Sequence, residues 1–370
     1  MTFYDEVKSY RWEQMGEEIH CRTNADVERA LTAQHRSLDG LLSLLSPAAE
    51  SFLEEMAQRA HRLTEQRFGR VINLFAPLYL SNVCTNSCLY CGFNVQNPVK
   101  RLTLTVAQAE AEAKYLHEQG FRHVLLVSGE APRVVTMEYL LKAVETLRPW
   151  FASISIELYP MDTTAYEKLI AHGVDGLVTY QETYNQESYR EVHPAGKKGD
   201  YRWRLETPER GGEAGFRRIG IGVLLGLSDW RLDGFYLALH ARYLLRNFWK
   251  SHLTISLPRL RPAAGGYQPP CPVSDAHMVQ LLTALRLFLP DAGLILSTRE
   301  SPHFRDHLIP LGITSMSAGS STEPGGYAHC SDTEAQFEIA DHRPAQAVVE
   351  VISQKGYEPV WKDWDATFLH

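Results

Sequence analysis

The chain has 370 residues, 44% hydrophobic and 22% charged, with a formal net charge of −7; this is ordinary for a soluble globular protein long enough to bury a large core. The negative balance argues against a general nucleic-acid or membrane-surface binder, and the nearest approach to a basic block, "HPAGKKGDYRWR" (193–204), reads as a solvated loop with a few functional contacts. No apolar run of eighteen residues and no secretory leader is visible, and six cysteines are too sparse for a secreted disulfide scaffold, so a reducing cytoplasm with free thiols is expected.

The first 70 residues read as helical. Thr23 and Asn24 are candidate caps for "ADVERALTAQ", and "SPAAESFLEEMAQRAHRLTEQRFG" keeps a helical apolar period up to Gly69. Short apolar runs of strand type then recur at 71–80, 123–130, 153–160, 176–183, 218–227, 252–258, 294–300 and 313–320. Helical patterns such as "TVAQAEAEAKYLHEQG", "TMEYLLKAVETLRPW" and "SDAHMVQLLTALRLFL" fill the gaps. Strands alternating with helices imply parallel βαβ units, and eight such units make an α/β fold of TIM type, a (β/α)8 barrel. An open six-stranded sheet is the alternative. The expected organisation is a helical N-terminal extension (1–70), the barrel (71–330) and a C-terminal helical segment and tail (331–370).

Strand parity adds detail. In "SISIELYP", Ser153, Ser155 and Glu157 share one face, as do His252, Thr254 and Ser256 in "HLTISLP". In a barrel these faces point inward. Gly220, Gly222 and Gly226 share a face of "RIGIGVLLG", and their missing side chains would leave room for a ligand. The expected interior is therefore polar and partly hollow. Polar residues also gather at the carboxyl ends of the runs, where such barrels carry active sites: Glu130, Glu157, Glu182, Arg259, Arg299, Ser317 and Ser320.

The stretch after the first run, "CTNSCLYCGF" (84–93), holds Cys84, Cys88 and Cys91 in C-x3-C-x2-C spacing. Three thiolates can bind three irons of a four-iron, four-sulfide cluster and leave the fourth iron open. They could also bind zinc, closed by a distant His or Cys. Cys21, Cys271 and Cys330 lie in no second knuckle and read as bystanders. Among competing motifs, "GIGVLLG" lacks the dinucleotide fingerprint, and no P-loop, H-E-x-x-H or G-x-S-x-G occurs.

C-x3-C-x2-C with an aromatic residue, Tyr90, before the last cysteine resembles the signature of radical S-adenosylmethionine (SAM) enzymes. The resemblance implies a 4Fe-4S cluster whose fourth iron is chelated by SAM. It also implies that Ser128, Gly129 and Glu130 ("SGE") meet the methionine amino group, with Ser128 in place of the usual first glycine. "YQETY" (180–184), "RLETPER" (204–210), "GIGVLLGLSDW" (220–230), "ISLPRLRPA" (255–263), "STRESPHFRD" (297–306), "SAGSSTEPGGY" (317–327) and "PVWKDWD" (359–365) narrow it. Together they resemble the tyrosine lyases of bacterial thiamine biosynthesis, the 2-iminoacetate synthases. Tyrosine lyases of hydrogenase maturation share several of these segments but carry a C-terminal extension with a further cysteine motif, which is not seen after Cys271 here. Tryptophan lyases are a more distant likeness.

The resemblance implies cleavage of L-tyrosine between Cα and Cβ, started by hydrogen abstraction from its amino group, to 2-iminoacetate (dehydroglycine) and p-cresol. It implies that Arg299 clamps the substrate carboxylate with Ser317 and Ser320, that Glu157 and Glu182 take the adenosine ribose, that Arg204 meets the methionine carboxylate, and that Tyr90 packs near the adenine. The implied partners are a thiazole synthase subunit and a flavodoxin or ferredoxin reductant, with no nucleic acid and no membrane.

Overall fold

The structure, a computed structural model, describes residues 2–329, 332–363 and 365; Cys330 and Trp364 lie outside them. The apolar runs form parallel strands in sequence: Val71–Ser81 (β1), His123–Ser128 (β2), Ser153–Glu157 (β3), Gly176–Glu182 (β4), Arg218–Val223 (β5), His252–Ser256 (β6), Gly293–Leu296 (β7) and Ser315–Ser317 (β8). Each pairs with the next, and β1 pairs with both β2 and β8, so the sheet closes into a (β/α)8 barrel. The helices between strands begin where short polar side chains satisfy free backbone N–H groups. Thr105 caps 106–118 with Gln108 closing a capping box, and Thr136, Asp162, Asn185, Asp229, Ser274 and Ser301 cap the helices that follow them.

Helices fill the first 68 residues, ending at Gly69, whose φ of +69° suits a residue without Cβ. They cover the outside of the helix ring. Phe3 stacks on His240 at 4.1 Å, Trp12 stacks on Tyr236 at 5.1 Å, and Gln280 donates to the carbonyls of Leu44 and Ser46.

The chain after the barrel makes more than a helix (Ala345–Gln354): it adds a ninth strand, Glu358–Val360 (β9). β2 begins opposite Ala76, which leaves Val71–Asn73 of β1 with an open edge, and β9 pairs there in parallel.

The barrel interior is only half as polar as the strand pattern suggests. Register sets Ser155 beside Leu125, Glu157 beside Val127, and Thr254 and Ser256 beside Gly220 and Gly222, so the polar faces of β3 and β6 do point inward. Strands β1, β2 and β4, with Phe93 of the cysteine loop, face the same interior with apolar side chains: Phe75, Tyr79, Leu125, Val127 and Val178. The glycines do not open ligand space directly. A Cβ on Gly222 would stand 2.8 Å from the Tyr180 ring, and one on Gly220 would stand 3.0 Å from Val178. Gly226 has left the strand, with φ +116° in the loop beyond Val223. What Gly220 and Gly222 accommodate is the side chains of β4 on one side and Thr254 and the Ser256 carbonyl of β6 on the other.

Candidate active site

β1 ends in a bulge between Tyr79 and Ser81, and the cysteine loop departs there. Arg101 holds this loop to its own carbonyls, donating to Asn82, Phe93 and Asn94 at 2.8, 2.9 and 2.6 Å. Asn97 donates to the carbonyls of Cys91 and Gly92. Cys84, Cys88 and Cys91 all open onto one cavity at the carboxyl ends of the strands. Burial pushes the Cys88 thiol up to about 12 and the Cys91 thiol in the same direction. Such thiols give up their protons to a metal far more readily than to solvent. Gly129 lies against the start of the loop, where a Cβ would come within 2.3 Å of the Val83 carbonyl oxygen. Its N–H donates to Ser81 O at 2.9 Å, and the Glu130 carbonyl accepts from Thr85 N–H. The "SGE" segment and the cysteine loop therefore form one backbone unit.

Acidic and basic groups face the cysteines. Glu182 has φ +72°, the single non-glycine residue in that region among the described residues, and it follows a bulge in β4. Bulges and such dihedrals re-aim side chains at functional sites. Here they turn the carboxylate to Lys198 (2.6 Å) and Arg204 (3.5 Å). Burial alone would raise Glu182, but Lys198 and Arg204 outweigh it and hold the carboxyl below its usual value. Arg204 also donates to Tyr180 O at 2.7 Å. Asn86, inside the cysteine motif, donates to Glu130 Oε2 at 2.7 Å and accepts from Lys198 N–H. The Tyr90 hydroxyl meets His193 Nε2 at 2.8 Å. His193 Nδ1 lies 2.7 Å from Tyr189 O and burial lowers the imidazole to about 3. It is therefore neutral, with Nδ1 donating and Nε2 accepting from Tyr90. Glu157 lines the same cavity with no hydrogen-bond or ion-pair partner among the described residues. Burial, then the charge of Glu182, raises it to about 7.

Arg299 stands across the cavity. Its neighbour Glu300 is taken by Arg259, so the ion pair that adjacency suggests does not form. The Arg299 guanidinium lies 3.3 Å from the centroid of the Phe337 ring and has no carboxylate within ion-pair distance among the described residues. Burial pulls it down from its usual value, against the opposing effects of Tyr79, Tyr180, Glu182 and Glu157. Ser317 and Ser320 are buried beside it, and Ser320 Oγ has no partner among the described residues.

A strap of residues 336–341 crosses the mouth. Gln336 O accepts from Gly92 N–H, Glu338 N–H donates to Pro262 O, and Ala340 N–H donates to Thr298 O, all at 2.9 Å. The strap is why position 92 needs glycine: a Cβ there would sit 2.6 Å from Ala335 O.

Comparison with known proteins places this geometry. The Radical SAM superfamily model matches residues 78–239, and that of the Biotin and Thiamin Synthesis associated domain matches 256–358. The 2-iminoacetate synthases of Salmonella typhimurium and Escherichia coli are each 46% identical over 366 residues, covering 99% of this chain and 97% of theirs. The chain belongs to the 2-iminoacetate synthase family of radical SAM enzymes. Among solved structures, HydG, a maturase of the FeFe-hydrogenase, superposes with a TM-score of 0.89 at 32% identity, over 97% of this chain and 82% of that one. A methylornithine synthase, PylB, shares the fold at TM-score 0.73 and 21% identity.

Radical SAM enzymes use a 4Fe-4S cluster and SAM, and the residues present fit both: one buried and two half-buried thiols, an unpaired guanidinium and an orphaned hydroxyl line one cavity. No three His, Cys, Asp or Glu side chains among the described residues converge on a single-ion site. A cubic cluster takes one thiolate at each of three corners, so its cysteines need not converge. Of the residues expected from the sequence, Cys84, Cys88, Tyr90, Cys91, Ser128, Gly129, Glu130, Glu157, Glu182, Arg204, Arg299, Ser317 and Ser320 line the cavity, whereas Arg259 at the end of β6 does not, being paired with Glu300 and Asp275. Cys21 and Cys271 are exposed and do not. Sequence reading missed Asn86, His193, Lys198 and Gln336. Asn86 alone carried a signal, standing between the first two cysteines. No described helix is long and apolar enough to cross a membrane.

Proposed function

We propose that the chain cleaves the Cα–Cβ bond of L-tyrosine to 2-iminoacetate and p-cresol, supplying the glycine-derived unit of the thiamine thiazole. The names of the two full-length relatives support this reading. The observation that carries it is Arg299, a half-buried guanidinium without an acidic partner in the cavity that also holds the three cysteines. An amino-acid carboxylate supplies the bidentate partner it lacks.

In this reading Cys84, Cys88 and Cys91 hold the cluster, and Ser128, Gly129 and Glu130 face the methionine amino group of SAM. When bound, the cluster and SAM supply a 5′-deoxyadenosyl radical. The chain's own residues bind and orient. Arg299, Ser317 and Ser320 grip the substrate carboxylate, which fixes where its amino nitrogen lies. Glu182, kept ionised by Lys198 and Arg204, accepts from ribose hydroxyls, and Glu157 joins it. Arg204 meets the methionine carboxylate and Tyr90 packs near the adenine. The apolar wall of Phe75, Leu125 and Val127 keeps water from the reacting atoms. The same reading gives the organisation 1–70, 71–330 and 331–370, a cytoplasmic location, a thiazole synthase subunit that receives the product, and a flavodoxin or ferredoxin as electron donor.

The test is product identification. The protein, reconstituted anaerobically and given reductant, SAM and single amino acids, should yield p-cresol and 5′-deoxyadenosine with tyrosine. Tyrosine consumption without p-cresol would sink the assignment, tryptophan turnover in place of tyrosine would replace it, and bound zinc without iron or sulfide would remove the radical chemistry.

A further inference from the structure

Of the groups around the three cysteines, one side chain points a hydrogen-bond donor at a sulfur. Gln336 Nε2 lies 3.7 Å from Cys91 Sγ. The orientation of the amide is set from its other end, because the Tyr79 hydroxyl donates to Gln336 Oε1 at 2.7 Å. An accepting Oε1 leaves the NH2 group facing the sulfur. Tyr79 is buried and cannot turn this bond over to solvent. The backbone of Gln336 is held independently, accepting from Gly92 N–H and donating to Thr322 O, both at 2.9 Å. The strap thus carries Gln336 to the cysteine loop whatever its side chain does.

We propose that Gln336, oriented by Tyr79, is a positioning residue that tunes the reduction potential of the cluster held by Cys91. The inference rests on the reading of Cys84, Cys88 and Cys91 as cluster ligands. A donor to a ligating sulfur stabilises the reduced, more negative cluster and raises its potential. Gln336 would therefore ease one-electron reduction of the cluster, and its loss would make the cluster harder to reduce.

The test is a redox titration of the anaerobically reconstituted protein, followed by the electron paramagnetic resonance of the reduced cluster. Gln336→Leu should shift the midpoint to lower potential, with the reduction equilibrium constant falling roughly three- to tenfold, up to about 59 mV for one electron. Tyr79→Phe keeps the donor and every strap backbone bond but frees the amide to rotate. It should shift the midpoint the same way by less, and it keeps the test alive if the leucine variant folds poorly. Unchanged midpoints in both variants at full iron content would overturn the proposal, because a purely structural Gln336 would lower the melting temperature and leave the potential alone. A parent protein that assembles no 4Fe-4S cluster under the same conditions would overturn the ligand reading instead.

Discussion

The segment "STRESPHFRD" carries two arginines in opposite surroundings, one buried and one half-buried. Arg305, behind β8, is wholly enclosed and paired with Asp341. Arg343 joins Asp341 at 2.7 Å and Asp306 at 2.9 Å, and Arg305 also donates to the Ser317 carbonyl. Arg299, in the cavity, has a phenyl ring beneath it and no carboxylate beside it. Behind the strand, buried charge is matched within the fold. In the cavity it is left unmatched, as are the Glu157 carboxyl and Ser320 Oγ. A buried charge without a partner is costly, and the cavity is where a bound molecule could relieve that cost. The segment thus divides into a part matched within the scaffold and a part left unmatched in the cavity.

Substitutions can break this contrast from either side. Cys88→Ala should abolish cluster assembly and all adenosine cleavage while leaving circular dichroism and thermal unfolding near the parent's. Asp341→Ala strands Arg305 and should cost about 3–5 kcal/mol in denaturant unfolding; an unchanged midpoint would show that the pair is not what holds this region. Arg299→Met should do the reverse. Turnover per KM for tyrosine should fall on the order of 100-fold, as for a misplaced substrate, with no loss of stability, since the change removes an unpaired, half-buried charge. The smallest effect is expected at Glu157. Its carboxyl sits near 7 in the fold against an ordinary 4.5, so between those values the unfolded chain has lost a proton that the folded chain keeps. Stability should therefore fall as pH rises from 4.5 toward 7. Glu157→Gln should flatten that fall, read from denaturant midpoints across the range.

Much of the scaffold was legible because period and parity are local. Eight apolar runs became eight strands, and the alternation in "SISIELYP" put Ser155 and Glu157 inside. The cysteines and Arg299 were legible because their chemistry is carried by the residue types themselves. What stayed hidden depends on loops crossing between strand ends. Lys198 and His193 lie in a stretch that reads as solvated loop, yet a left-handed turn at Glu182 draws Lys198 into the cavity, and His193 buries itself against Tyr90. Gln336 is 245 residues from the sulfur it meets, in a segment with no periodicity to mark it. The inner glycines misled because their vacancy is filled from β4 and β6 on either side, which strand-by-strand reading cannot see.

The strap also bears on timing. Ribosomes add about 5–20 residues per second, amino end first, so the cysteine loop emerges roughly 12–50 s before Gln336 is made, given the 245 residues between Cys91 and Gln336. β9, which covers the open edge of β1, comes later still. Until then the thiols face the cell without their outer wall. A cluster loaded during that interval would enter an open bowl, whereas one loaded afterwards would have to pass a strap held by backbone bonds to Gly92, Pro262 and Thr298. Where residues 336–341 fall in the chain therefore gives the cysteine loop two conditions, open during synthesis and walled once the strap is in place.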